Sequence, residues 1–574
     1  MSDDVIERLA AIAELVSLGP GAVIIREGEV ASDLYALLSG ALVVTRRRDG
    51  AEIVVDRVVD EPILLGEMQV LTGGRRVATV RAESACQLLR IGRPQLEATA
   101  NEHPALFAYF AELARDRLRR HQLQAALGDE ATSQDESLLL DLCDVVDWQT
   151  VDAGAQLVRQ GEESDAIYFL LSGRLLCVVE DEDAQRSPVV LDEILPGESL
   201  GESAALRGRT RAASVWATRP SEVARVDQAA FLRVSQAHPS LMRRTLEVVV
   251  ERQRSRRRGT SARTIAIIPL REGVPMREFM DALTPELSRL TAAVHLDRRA
   301  LARRLGDDAL ADLDSADPRA LRVTTLMDEL ESEAKRVVYE VDRLDSGWAR
   351  RCLLSADELV LVGLATQDPT PSALERRLTG IEGGVLRPHT TLVLLHPIGH
   401  EPKDTRRWLA DRQVDGVHHV GVARRADHAR LARFLAGAAV GLVLSGGAAR
   451  GLAGFGVIRA MHELGIPIDA IGGVSSGALV AAGHAAGLAP DTMIDMMRAP
   501  RSMLRMIELN PPVVSLSSAR GLNAILHELF GARQIEDLWI PALFVSTNMT
   551  RARQRVSARG DLREALMASN SMPG

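Results

Sequence analysis

Apolar and polar positions alternate in three different rhythms along the chain. Between residues 17 and 82, and again between 150 and 217, short runs such as AVII, LYALL, IYFLL and RLLCVV are broken by glycines at turn positions. That pattern predicts small β-barrels or jelly rolls. A 3.6-residue periodicity follows each stretch, in HPALFAYFAELARDRLRRHQLQAAL and in HPSLMRRTLEVVVERQRSRRR, and predicts a closing helix. Beyond the basic linker RSRRRGTSAR, strand-like runs (TIAIIPL, RVVYEVD, ELVLVGLA, TTLVLLHP, GVHHVGVA) alternate with helical stretches, the βαβ rhythm of a parallel sheet. From Ala438 the text predicts strand, Gly-rich turn, helix, strand, sharp turn and helix.

The first two units are copies of one another. Gly21, Gly28, Tyr35 and Gly40 recur with identical spacing as Gly154, Gly161, Tyr168 and Gly173, and residues 64–82 match residues 199–217. The expected organisation is two barrels with helical caps, 1–127 and 128–255, an α/β unit of 263–436 whose role no motif reveals, and a second α/β unit of 440–574.

Composition narrows the classes of function. A chain of 574 residues has room for several cores. The net charge of -9, from 69 basic and 78 acidic residues, gives no strong field for nucleic acid, and no helix-turn-helix pattern follows the barrels, so no nucleic-acid partner is expected. No apolar stretch approaches the roughly 20 residues of a membrane span, and the acidic start MSDDVIERLA is unlike a secretory signal. The expected compartment is the cytoplasm. Cys86, Cys143, Cys177 and Cys352 are far apart and form no metal spacing, so no metal site is expected.

Within each copy a Gly-Glu pair precedes an arginine by about ten positions: Gly66-Glu67 before Arg76, and Gly201-Glu202 before Arg211. A carboxylate can accept a hydrogen bond from a ribose 2′-hydroxyl, and a guanidinium fork matches the two free oxygens of a cyclic phosphate. These repeats resemble cyclic nucleotide-binding domains, the family of the catabolite activator protein and the kinase regulatory subunits. The second copy, GESAALRGRTRAAS, follows that family's phosphate cassette almost throughout; the first carries Met68, Gln69 and Val77 in place of small residues. Ala78 and Ala213 stand where Thr or Ser would favour guanine, so the resemblance implies cAMP, or another cyclic nucleotide, as effector.

The last unit contains Gly473-Val474-Ser475-Ser476-Gly477, the G-x-S-x-G spacing of a nucleophile on a strained strand-to-helix turn. Ser475 is the candidate nucleophile, with Gly473 and Gly477 needed because a side chain at either would strike neighbouring backbone. Upstream, SGGAARG offers backbone N–H groups, with Arg450 close by, for an oxyanion. The rival reading, a dinucleotide fingerprint completed by Asp469, lacks its central glycine at Ala448.

Together the two motifs, with the texts GVHHVGVARRADHARLARFLAGAAVGLVLSGGAARG, IEDLWIPALFVSTNMTRA and REALMASNSMPG, resemble the patatin-like phospholipases of the neuropathy target esterase branch. The resemblance implies a cyclic-nucleotide-regulated serine esterase acting on phospholipids or lysophospholipids through a Ser–Asp dyad, without a catalytic cofactor, with Gly446, Gly447 and Ala448 around the oxyanion. Two departures stand out. Ala448 replaces the third glycine of the oxyanion loop. The Asp of the family's D-G-G or D-G-A box is absent from this sequence, and Asp537 and Asp561 match non-catalytic positions of the family text. His484 lies nine residues along the helix from Ser475, about 13 Å away. The unit is therefore expected to be C-terminally incomplete, either part of an active lipase or a pseudoenzyme with a binding role. The Met493, Met496, Met497, Met503 and Met506 stretch reads as core or as an acyl-chain channel. Arg254 to Arg258 reads as a solvated linker or as a peripheral contact with anionic headgroups on the inner face of a membrane.

Overall fold

A computed structural model describes residues 10–571 apart from 31–32, 49–50, 60–62, 67–75, 77, 103, 129–135, 180–188, 203–209, 256–263, 314–316, 380–388, 499–507, 510–516 and 519.

The first barrel is a roll of two four-stranded antiparallel sheets between Glu14 and Gly92. Its core draws on both sheets, with Leu37, Leu65 and Leu88 from one and Ile25, Leu42 and Val80 from the other. Gly40 joins two of its strands at φ +106°, and a Cβ there would lie 2.5 Å from Ala85 O. The repeated Gly173 sits at φ +93° with Ser221 equally close, so steric exclusion explains why this glycine recurs.

The second barrel is dominated by two long antiparallel strands, β1 (Ala166–Val179) and β2 (Ser214–Asp227). Tyr168, Leu170 and Leu175 face the barrel interior, while Ile167, Phe169 and Leu171 face a helical layer containing Phe231. Burial on both faces is why IYFLL is apolar throughout instead of alternating. Asp227 ends β2 and caps the next helix, its Oδ1 accepting from Ala229 N at 2.9 Å. The helix Pro104–Leu127, expected to close the first copy, delivers Leu123 and Leu127 into the second barrel's helical core. Its Arg119 also pairs with Glu222 of β2 at 2.8 Å.

The third unit is a six-stranded parallel sheet of β3 (Thr264–Pro269), β4 (Ala293–Leu296), β5 (Arg336–Glu340), β6 (Glu358–Leu364), β7 (His389–His396) and β8 (Gly416–Gly421), in the order β4-β5-β3-β6-β7-β8. Helices cover both faces: Ala266 and Ile268 of β3 enter one core, Ile265 and Ile267 the other. Buried arginines join this unit to the second barrel. Arg174 of β1 reaches Asp357 at 2.6 Å, and Arg219 of β2 reaches Glu331 at 2.8 Å and Ser355 O at 2.9 Å.

The last unit pairs β9 (Gly441–Leu444), β10 (Ala470–Val474), β11 (Ala542–Asn548) and β12 (Arg553–Ser557) in that order, parallel except for the β11–β12 hairpin. One sheet face is covered by α1 (Ala453–Glu463), α2 (Ser476–Ala485), α3 (Pro490–Arg498), α4 (Arg520–Phe530) and α5 (Leu562–Asn570). The unit is bolted to the third: Asp537 Oδ1 accepts from Thr405 N at 2.9 Å, Trp539 Nε1 donates to Glu401 at 2.8 Å, and Arg424 lies 4.2 Å over the Trp539 ring. His419 and Glu536 O approach to 2.8 Å at the same seam.

Candidate active site and nucleotide cassettes

Ser475 sits at the junction of β10 and α2 with φ +55° and ψ −130°, a conformation that costs a non-glycine residue energy and persists only where its surroundings enforce it. The surroundings here are glycines. A Cβ on Gly473 would lie 2.5 Å from Gly477 O, and one on Gly477 would lie 2.5 Å from Leu444 O. Helix α2 can therefore pack directly onto strands β9 and β10. The strained serine is half-buried at the helix N-terminus, where first-turn N–H groups have no intrahelical acceptor.

The upstream loop closes over this turn. A Cβ on Gly446 would meet Ser475 Cβ at 2.8 Å, so the loop backbone lies against the serine. Gly447 adopts φ +145° and Ala448 φ +50°, so the alanine that replaces a glycine does occupy a left-handed conformation. Arg450 is exposed on the outer side of this loop.

Of three ionisable residues that follow the serine in sequence, the two aspartates have structural partners and the histidine is buried with its Nε2 unbonded. Asp537 is buried at the seam and accepts from Thr405 N. Asp561 caps α5 by accepting from Glu564 N at 2.9 Å. His484 packs its ring 5.4 Å from that of His462, and burial pushes its pKa down to about 4. Asp469, the acid of the dinucleotide alternative, is 1% exposed and clamped by Arg433 at 2.8 and 2.6 Å. It also accepts from Val440 N at 2.9 Å, so its role is to fix the start of β9.

A contact the motifs did not disclose comes from α5: Ser475 N donates to Ser569 Oγ at 2.8 Å, and Ser569 Oγ donates to Val545 O at 2.7 Å. Between the helices an apolar cavity of about 30 Å³ is lined by Phe455 of α1, Leu479 and Gly483 of α2, Met493 of α3, and Leu522 and Ile525 of α4 among others. Met493 is thus the described member of the methionine stretch that lines it. The side chains of Met496 and Met497, and all of Met503 and Met506, lie outside the described residues.

In the barrels, Arg76 and Arg211 are buried and fold back onto the cassette glycines. Arg76 donates to Gly66 O at 2.9 Å and to Asp33 O, while Arg211 donates to Ala166 O at 2.8 Å and stacks 5.6 Å from the Tyr168 ring centroid. Arg211 Nη1 is buried against Gly201 without a hydrogen-bond partner. Glu202 is buried beside it in the same cassette, Ala213 is half-buried, and Ala78 holds the matching position of the first barrel. Glu67 lies outside the described residues, as do the side chains of Arg254 to Arg258. Among the described residues no cluster of His, Cys, Asp and Glu could hold a metal, and no helix is long and apolar enough to cross a membrane.

Comparison with known proteins matches these units to three family models. Residues 15–103 and 148–238 match the cyclic nucleotide-binding domain, 261–438 the neuropathy target esterase family P-loop like domain, and 442–574 the patatin-like phospholipase. Patatin-like phospholipase domain-containing protein 7 of Mus musculus is 28% identical over 610 residues, covering 96% of this chain and 43% of its own. Neuropathy target esterase sws of Drosophila melanogaster is 27% identical over 621 residues, covering 98% of this chain and 42% of its own. The chain thus spans less than half the length of the relatives it matches. Among solved structures, the regulatory domain of Toxoplasma gondii PKA with cAMP is similar at 24% identity, over 43% of this chain and 90% of that one, with a TM-score of 0.21. The order of matched domains and the near full-length similarity agree: the chain belongs to the neuropathy target esterase branch of the patatin-like phospholipases, with two cyclic nucleotide-binding domains ahead of its hydrolase domain.

Proposed function

We propose that the chain is the sensor and nucleophile-bearing part of a serine esterase that hydrolyses acyl esters of phospholipids or lysophospholipids under control of a cyclic nucleotide. The observation that carries this reading is Ser475 at φ +55° between Gly473 and Gly477, with Gly446 against it. In that arrangement Ser475 Oγ attacks the ester carbonyl, and N–H groups of the Gly446–Ala448 loop and the first turn of α2 face the oxyanion, with Arg450 outside them adding positive charge. A serine hydroxyl needs a base. We assign the carboxylate of a Ser–Asp dyad to no residue of this chain, because Asp537 and Asp561 have structural partners. The apolar cavity along α1, α2 and α4, about 30 Å³, is too small for an acyl chain, so the acyl portion of the substrate rests on the patatin-like phospholipase match.

Regulation is assigned to the barrels, with Arg76 and Arg211 pairing with the cyclic phosphate, Glu67 and Glu202 with the ribose, and Gly66 and Gly201 allowing close approach. Ala78 and Ala213 support cAMP over cGMP. The assigned location is the cytoplasm, with peripheral contact at a membrane where the substrate lies.

Fluorophosphonate labelling of the chain, beside a Ser475→Ala control, tests the reading. Labelling that the control abolishes is the expected result. The second reading, a nucleotide-sensing binding protein with an inactive hydrolase domain, is favoured by the engagement of Asp537 and Asp561 elsewhere; absence of labelling would select it.

A further inference from the structure

We propose that Ser569 is a positioning residue for the nucleophile: its hydroxyl holds Ser475 in the left-handed conformation and takes the serine's own N–H out of the set available to an oxyanion. The proposal rests on the reading of Ser475 as nucleophile. Ser475 N donates to Ser569 Oγ at 2.8 Å, and the same oxygen donates to Val545 O at 2.7 Å. One hydroxyl, acting as acceptor and donor at once, thereby ties the elbow to the last turn of α5 and to β11, the strand that pairs with β10 through Val474 and Val545.

The geometry makes this contact more than packing. At φ +55° and ψ −130° a serine has no helix or sheet ladder bond for its N–H, because the peptide plane is rotated out of both. An N–H in that position turns to water, to an incoming oxyanion or to a protein acceptor. Ser569 supplies the acceptor, so the loop N–H groups around Gly446 to Ala448 and those of Ser476 and Gly477 remain the ones that can face a developing charge. The hydroxyl is suited to the task because Val545 O fixes its proton on the far side, which leaves a lone pair directed at Ser475 N. Alanine has no hydroxyl to make either bond, and asparagine places its polar atoms elsewhere; threonine keeps the hydroxyl and adds one methyl.

Saturation kinetics of fluorophosphonate labelling on the 574-residue chain, combined with amide exchange of the peptide containing Ser475, tests the assignment in wild type, Ser569→Ala and Ser569→Thr. The expected result is a tenfold or greater fall in the maximal inactivation rate for Ser569→Ala, an unchanged half-saturating probe concentration, a rate within threefold of wild type for Ser569→Thr, and loss of Ser475 amide protection in the alanine variant alone. A wild-type maximal rate in Ser569→Ala, or an equal loss in Ser569→Thr, overturns the proposal. Should the wild type itself not label, the esterase reading of Ser475 fails, and exchange then decides: protection lost in Ser569→Ala and kept in Ser569→Thr supports the positioning role, and equal protection in all three refutes it. If Ser569→Ala does not fold, Ser569→Cys, whose thiol is a weak donor and acceptor, takes its place with the same expected order.

Discussion

Gly446 and Ser475 are in backbone-to-side-chain contact across the strand ends, with space for nothing between them: a Cβ on the glycine would stand 2.8 Å from the serine's Cβ and 3.5 Å from its Oγ. The Gly446–Ala448 loop and the Ser475 turn are therefore a single steric unit. Gly446→Ala should push the loop off the elbow and abolish fluorophosphonate labelling while leaving the sheet intact by circular dichroism.

Gly477→Ala should do more damage. Its Cβ would be confronted by two carbonyl oxygens, Leu444 O at 2.5 Å and Ser445 O at 2.6 Å, neither of which is the end of a flexible side chain. Overpacking of this kind costs about 1–3 kcal/mol. A lowered thermal midpoint for the hydrolase domain, seen by calorimetry, is the expected outcome.

Ala448→Gly should stabilise. The alanine sits at φ +50°, where a Cβ costs roughly 1–2 kcal/mol, and glycine relieves most of that at some cost in unfolded-state entropy. A rise of the domain's thermal midpoint, with labelling by the probe retained or faster, checks it.

Arg211→Ala should weaken cyclic nucleotide binding by about tenfold to a hundredfold, the worth of roughly 1.5–3 kcal/mol for hydrogen bonds to a charged group. Basal labelling of Ser475 should be unchanged. Equilibrium titration with cAMP and cGMP against both proteins is the measurement, and unaltered affinity would remove this barrel as the sensor.

Acidification should loosen the seam between the third unit and the hydrolase. His396 and His419, which face Trp539 at that seam, are held to pKa values of about 4, chiefly by burial. Their unfolded forms titrate near 6.5, so the unfolded or opened state binds more protons between pH 6.5 and 4, and stability falls as pH drops through that window. Asp328, near Arg219 at the seam with the second barrel, is raised to about 7 by burial and by Glu331, with Arg219 opposing. Its folded form holds the proton, so that seam instead loses stability as pH rises from about 4 to 7. Amide exchange over residues 535–540 and over the Asp328 helix should therefore respond to pH with opposite signs.

The chemistry legible in the sequence was the chemistry written over short spans. The elbow is five residues long, and its glycines are required by contacts that the strand-turn-helix geometry itself creates. The barrel cassettes were readable because they occur twice, and Tyr168, which stacks on Arg211, was already visible as one of the recurring positions. Ser569 was not legible as a partner of Ser475, since 94 positions separate them and only the docking of α5 on β11 brings them together. Nor could periodicity tell that Leu123 and Leu127 serve the second barrel, because an apolar helix face does not name the surface it will cover.

That sharing of Leu123 and Leu127 has a practical side. The helix Pro104–Leu127 is contiguous with the first barrel but roofs the second, so the two barrels part before residue 104 and not at residue 127, where the first copy ends. A deletion that stops before residue 104 keeps the second barrel's roof, whereas one that runs to residue 127 strips Phe231, Ile167 and Phe169 of their cover and would yield an insoluble protein whose failure says nothing about nucleotide.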